Sequence, residues 1–151
     1  MPVITTAIFN KILLVAMKKL FSTKYSAGAV NAAMAVLRIC AGVLMMNHGY
    51  SKLIHFGEKH EKFMNFLGIG STMSLALVVF AEFFCSLFLV IGLFTRLAAI
   101  PLIITMCVAL YKAHNMDILG EGETAALYLG CFIVILLVGP GKASIDNLIG
   151  K

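Results

Sequence analysis

Four apolar stretches dominate the chain, at residues 27–47, 72–94, 97–113 and 124–139. A membrane-crossing helix needs about 20 such residues. The first two stretches meet that length. The last two are short and need a thinned bilayer or snorkelling ends. Local chemistry agrees with the boundaries. "GIGST" supplies a turn and a hydroxyl cap before the second stretch, and "GPGK" ends the fourth. Pro101 falls in the first turns of the third, where proline is tolerated. Ahead of the first lies "AIFNKILLVAMKKLF", residues 7–21, with Ile8, Ile12, Val15 and Leu20 on one side and Lys11 and Lys18 on another. Lysines interrupt any signal-peptide core, so this arm reads as an amphipathic helix in the membrane interface. The pattern predicts an all-α integral membrane four-helix bundle over 27–151, preceded by an amphipathic arm over 1–26.

Two charges interrupt the apolar runs. Arg38 lies in "VLRICAGVLMMNHGYSKL" and Glu82 in "FAEFFCSLFLVIGLFTRLAA". Antiparallel neighbours would place both near mid-depth. Each alone costs about 2.5–3.5 kcal/mol on insertion scales, so an Arg38–Glu82 pair is expected. Asn31, Ala35, Arg38, Gly42, Met45, Gly49 and Lys52 share one face of the first span, where small residues permit close approach. Glu82, Cys85, Ser86 and Leu89 share a face of the second. Thr105 and Tyr128 are the polar candidates of the last two spans. Such a pair either locks packing or forms a site for a proton, an anion or a polar headgroup. His48, about 15 Å above Arg38 at 1.5 Å per residue, is expected at the outer boundary. With His114 and Glu123 it is a candidate for a quinone headgroup or a titrating proton. No metal site is expected, because no histidine pair has ligand spacing on one helix.

Composition supports the membrane reading. The 151 residues are 61% hydrophobic and 13% charged, against about 25% charged in soluble domains. The net charge of +5 forms no dense stripe, which argues against nucleic acid. Orientation explains it instead. Lys11, Lys18, Lys19, Lys24, Arg96, Lys142 and Lys151 fall on one side, and Lys52, Lys59, Lys62 and Lys112 on the other. Both termini are therefore expected in the cytoplasm, in a plasma or inner membrane. All four histidines then lie outside, where Phe56, Phe63, Met64, Phe66 and Leu67 suggest a short in-plane helix. The four cysteines, one per span and without C-x-x-C, read as small buried hydrophobes.

"LRICAGVLMMNHGYSKL" resembles the signature of the DoxX family through Leu37, Arg38, Gly42, His48, Gly49, Lys52 and Leu53. The second block is similar through Ala81, Glu82, Gly92, Leu93, Thr95, Arg96 and Ala98. Closing blocks match at Glu121, Glu123, Leu127 and Tyr128, then at Gly139, Pro140, Gly141, Lys142, Ser144 and Asp146. Cys85 and Ser86 stand where the family commonly has glycines. The resemblance covers about residues 30–148. It implies a four-helix membrane protein, some of whose relatives take part in thiosulfate:quinone oxidoreduction or thiol handling. The expected role is a membrane subunit of a quinone-linked redox complex. Glu82, Arg38 and His48 would be catalytic, and Lys52, His114, Glu123, Tyr128 and Arg96 would bind substrate or quinone. No intrinsic cofactor is expected beyond that quinone. Expected partners are the lipid bilayer and a redox subunit or second copy. The alternatives are a non-catalytic scaffold for a soluble partner and, less favoured, a small-solute or proton carrier.

Overall fold

The computed structural model describes residues 11–15, 17, 18, 21–24 and 26–150. Residues 11–15, 17 and 18 are helical and exposed. Ile8, Leu20, Lys19 and Lys151 lie outside the described residues, so the two-sided pattern of the arm is not tested.

The described residues form helices and no strand. Ser26 opens α1 (Ala27–Ile54) by accepting from the Ala29 amide, the usual hydroxyl cap. A single turn, α2 (Phe56–Lys59), follows. The long loop after it leads to α3 (Ser71–Ile91), which is closed by Gly92 in the left-handed region (φ 73, ψ 40). Glycine adopts that conformation without steric cost, and Leu93 N–H returns to the Phe88 carbonyl in a Schellman turn. Then come α4 (Thr95–Ala113), α5 (Glu123–Val138) and a short α6 (Ile145–Ile149). Helices α1, α3 and α4 are long and apolar enough to cross a membrane. Helix α5, at 16 residues, spans roughly 24 Å.

Helix α4 packs most extensively on α5, and α1 lies along α3. Leu75, Leu89, Leu102, Phe132 and Ile135 are fully buried between them. Without a hydrophobic force between helices in lipid, close backbone approach carries the association. Gly42 and Gly49 of α1 supply it. A Cβ on Gly42 would meet the Ser86 carbonyl, and one on Gly49 would lie within 2.6 Å of the Glu82 backbone.

These contacts set the register. Gly49 is level with Glu82, so Arg38, eleven residues earlier, lies roughly 16 Å further along the axis. It sits beside Gly92 at the other end of α3. The pattern of apolar residues ends the first span at 47. The helix runs on through His48, Gly49 and Lys52 to Ile54, which moves Glu82 opposite its last third. The expected in-plane helix over 56–67 is also corrected. After Lys59 the segment is turns, with Leu67, Gly68 and Gly70 at positive φ. The end of the bundle carrying loops 55–70 and 114–122 is termed outer, and the end carrying 92–94 and 139–144 inner.

Candidate functional site

The pairing of Arg38 with Glu82 does not occur. Arg38, only 2% exposed, donates to the Pro140 carbonyl at 3.1 Å and the Ala143 carbonyl at 2.5 Å. Those carbonyls lie just past the end of α5, where the chain turns back through Gly139 and Gly141 at positive φ. Asp146 stands nearby. Its carboxylate accepts from the Phe94 and Thr95 amides at 2.7 and 2.8 Å, and its own N–H donates to the Gly92 carbonyl. An anion on the free amides of a helix start is favourable. Burial alone would raise the Asp146 carboxyl, but the Thr95 and Phe94 hydrogen bonds and the Arg38 guanidinium hold it below the ordinary value. Arg38 thus closes the inner end of the bundle.

Glu82 has a different cation. Lys52 Nζ lies 2.5 Å from Glu82 Oε2. Lys52 comes one helical turn after Gly49, on the same face, so its chain reaches back over the glycine to the carboxylate. Glu82 lies about halfway along α3 and is 5% exposed. The ion pair at mid-depth is therefore Lys52–Glu82, and Lys52 leaves the set of outer-side lysines that orient the chain.

The pair borders a cavity of about 520 Å³. Its walls are apolar, from Leu77, Val78 and Phe80 on α3 and Ile104, Val108 and Ala109 on α4. Phe63, Met64 and Phe66 of the outer loop roof it, and His114 lies at its rim. His114 Nδ1 is buried without a hydrogen-bond partner, leaving a ring nitrogen free to donate or accept. Ligand sites commonly combine this volume, apolar walls and a few convergent polar groups.

Two π-helical turns shape the walls. Phe80–Cys85 carries Glu82, and Ala109–Ala113 leads into His114, whose N–H bonds the Ala109 carbonyl five residues back at 3.1 Å. A π turn inserts an extra residue and re-aims the side chains after it, and such turns recur at functional sites. Here both face the same cavity. Thr105 lines it too, with its hydroxyl donating to the Pro101 carbonyl at 2.9 Å.

The remaining sequence candidates lie elsewhere. His48 is not at the outer boundary. Next to Gly49 it is level with Glu82, but a step of one residue turns it about 100° away. Its ring meets Tyr128 edge-on at 6.2 Å, and Tyr128 stacks on Phe132 at 5.8 Å. Glu123 is exposed in the first turn of α5, where a carboxylate suits the helix dipole. Arg96 is at the inner end, donating to the Leu137 carbonyl at 3.4 Å near the close of α5. Of the eight candidates, Glu82, Lys52 and His114 are brought together. Of the cysteines, Cys85 is buried and Cys131 half-buried, but Cys40 and Cys107 are exposed, which corrects their reading as uniformly buried. Sequence reasoning missed the roof. Its signal is the glycine pair after Phe66, which folds the loop back.

Apolar spans with an ion pair in their midst define a helical membrane protein. The family model that matches the chain, over residues 33–115, is DoxX. The protein belongs to the DoxX family. It is 31% identical over 121 residues to a Haemophilus influenzae protein named only "Uncharacterized protein", covering 76% of this chain and 88% of that one. No solved structure matches it.

Proposed function

We propose that the protein is the quinone-binding membrane subunit of a redox complex, with the four apolar helices crossing the bilayer as one bundle. The observation that carries this reading is the cavity at Lys52, Glu82 and His114. It is an apolar chamber within the membrane, with an ion pair on one wall and an unpartnered ring nitrogen at its rim. A quinone needs an apolar site, hydrogen-bond partners for two oxygens and a source of protons. Reduction to the quinol takes two electrons and two protons. Glu82 and His114 are placed to hold or pass those protons, and Lys52 to donate to an oxygen. The electrons come from a reduced sulfur donor such as thiosulfate, two molecules of which join through a new S–S bond as they release them. A partner subunit presents that donor at the outer face, because the chain carries no haem, flavin or iron–sulfur motif.

Orientation with both termini in the cytoplasm is supported by the place of Lys52. With it paired inside the membrane, only Lys59, Lys62 and Lys112 remain on the outer side, which strengthens the positive-inside asymmetry. The membrane is then a plasma or inner membrane, with the described helical residues 11–15, 17 and 18 on its cytoplasmic side.

Titrating a decyl-tailed quinone into the purified protein, followed by calorimetry, tests the reading. Saturable binding is expected, weakened at least tenfold by Glu82→Gln and by His114→Phe. The second change lies at a helix end and leaves the packed core alone. Binding unaltered in both variants would rule out this site.

A further inference from the structure

Resting on the quinone reading, we infer that the cavity is loaded sideways from the bilayer. The quinone's apolar tail leaves between the outer halves of α3 and α4, past Leu77, Phe80 and Ile104. Helices α3 and α4 pack together along their inner halves, whereas the outer part of α3, Ser71–Val79, stands away from α4. The packing gives out on the outer side of the π turn at Phe80–Cys85, the kind of irregularity at which helices change direction. Three residues lining the cavity are also on the outside of the bundle: Leu77 is 51% exposed, Phe80 49% and Ile104 54%. In a membrane that outside is acyl chain, so the chamber is continuous with lipid.

The loop over the outer end is tied down. Phe66 N–H donates to Ser74 Oγ at 3.0 Å, and Ser74 Oγ donates to the Gly70 carbonyl at 2.7 Å. Asn65 Oδ1 accepts from Gly70 N–H at 2.8 Å, and Ile69 N–H bonds the Phe66 carbonyl. These bonds tie Asn65 and Phe66, next in the chain to the roof residues Phe63 and Met64, to the start of α3. A ligand entering beneath this loop must break them, whereas one arriving between α3 and α4 need not.

Charge selects the headgroup. Lys52 and Glu82 neutralise one another, so the chamber presents no spare charge to an ion. An anionic headgroup would have to displace Glu82 from Lys52 and leave the carboxylate unpaired in apolar surroundings, a costly exchange. An uncharged dione or diol accepts from the remaining Lys52 protons and meets His114 Nδ1 while the pair stays intact.

The test uses lipid vesicles carrying the full chain, with a decyl-tailed quinone added at increasing mole fraction. The chain contains no tryptophan, so Leu77→Trp and Ile104→Trp each place one fluorophore in the portal, and Leu127→Trp on exposed α5 is the control. Saturable quenching is expected at both portal positions, and only linear, collisional quenching at Leu127→Trp. The Leu77→Trp/Ile104→Trp double variant should slow association at least tenfold, while Asn65→Ala, which frees the Gly70 amide and loosens the loop without touching the cavity lining, leaves the rate unchanged. Association that quickens with Asn65→Ala and ignores the portal would overturn lateral loading and leave quinone binding standing. Displacement of the quinone by phosphatidylglycerol at equal mole fraction would overturn the neutral headgroup. Failure of the unaltered protein to bind the quinone would remove both readings.

Discussion

Lys52 and Glu82 hold one another where neither is tolerable alone. Breaking a buried pair from one side leaves an uncompensated charge and costs about 3–5 kcal/mol, while replacing both partners by apolar residues is often neutral. Lys52 keeps 27% of its side chain exposed, which places the cost at the lower end. Glu82→Leu and Lys52→Met singly should each destabilise the detergent-solubilised protein by about 3 kcal/mol, and the double variant should regain most of it. Reversible unfolding of the four proteins measures the coupling. Additive losses would mean that the two groups do not depend on one another. Arg38 answers differently. Its partners are backbone carbonyls at the inner end, so Arg38→Lys should lower stability yet leave the quinone affinity of the folded protein within about twofold, read from the same titration.

At the scale of helices, periodicity reveals the inward faces but not the register between them. The face of α1 carrying Arg38, Gly42, Met45 and Gly49 is buried as its spacing implies, as are Glu82, Cys85, Ser86 and Leu89 on α3. The discrepancy lies in where α1 stops. "HGYSKLI" is polar enough to read as a loop, yet it stays helical because Gly49 seats against α3 and Lys52 has an internal partner. With Gly49 level with Glu82, Arg38 lies eleven residues, about three turns, short of the carboxylate, and the seven added residues include the Lys52 that reaches it. The π turns are illegible for another reason. They depend on how a helix meets its neighbours and have no composition of their own. Gly49 is the residue on which this register turns. Gly49→Ala should push α1 off α3 and cost about 1–3 kcal/mol. It should also weaken quinone binding by moving Lys52, whereas Gly28→Ala, with open space around it, should do neither. Equal effects of the two changes would mean that close approach at Gly49 is not what sets the register.

Across the whole molecule, polar anchoring is divided between two ends with different tasks. The outer half carries the cavity and its ion pair; the inner end is a closure in which Arg38, the 139–144 loop and Asp146 tie the ends of α3 and α5 to the start of α4. The closure explains how Phe94 keeps a left-handed backbone at φ 49, since its amide is held by Asp146. It also has a pH signature. The Asp146 carboxyl is held below its ordinary value in the folded protein, whereas in the unfolded chain it titrates near about 3.9. Its contribution is therefore complete above that unfolded value and is lost as pH falls through the lower, folded one. Asp146→Asn keeps the shape but gives up the charge and one acceptor. It should lower stability by about 1–3 kcal/mol at pH 7, with the gap to the unaltered protein closing as pH drops below about 4. The comparison is between the two proteins at each pH, because other carboxylates titrate in both. Thermal unfolding in detergent from pH 7 to pH 3 measures it. A gap that stays constant, or widens in acid, would show that the Asp146 charge does not hold the inner end together.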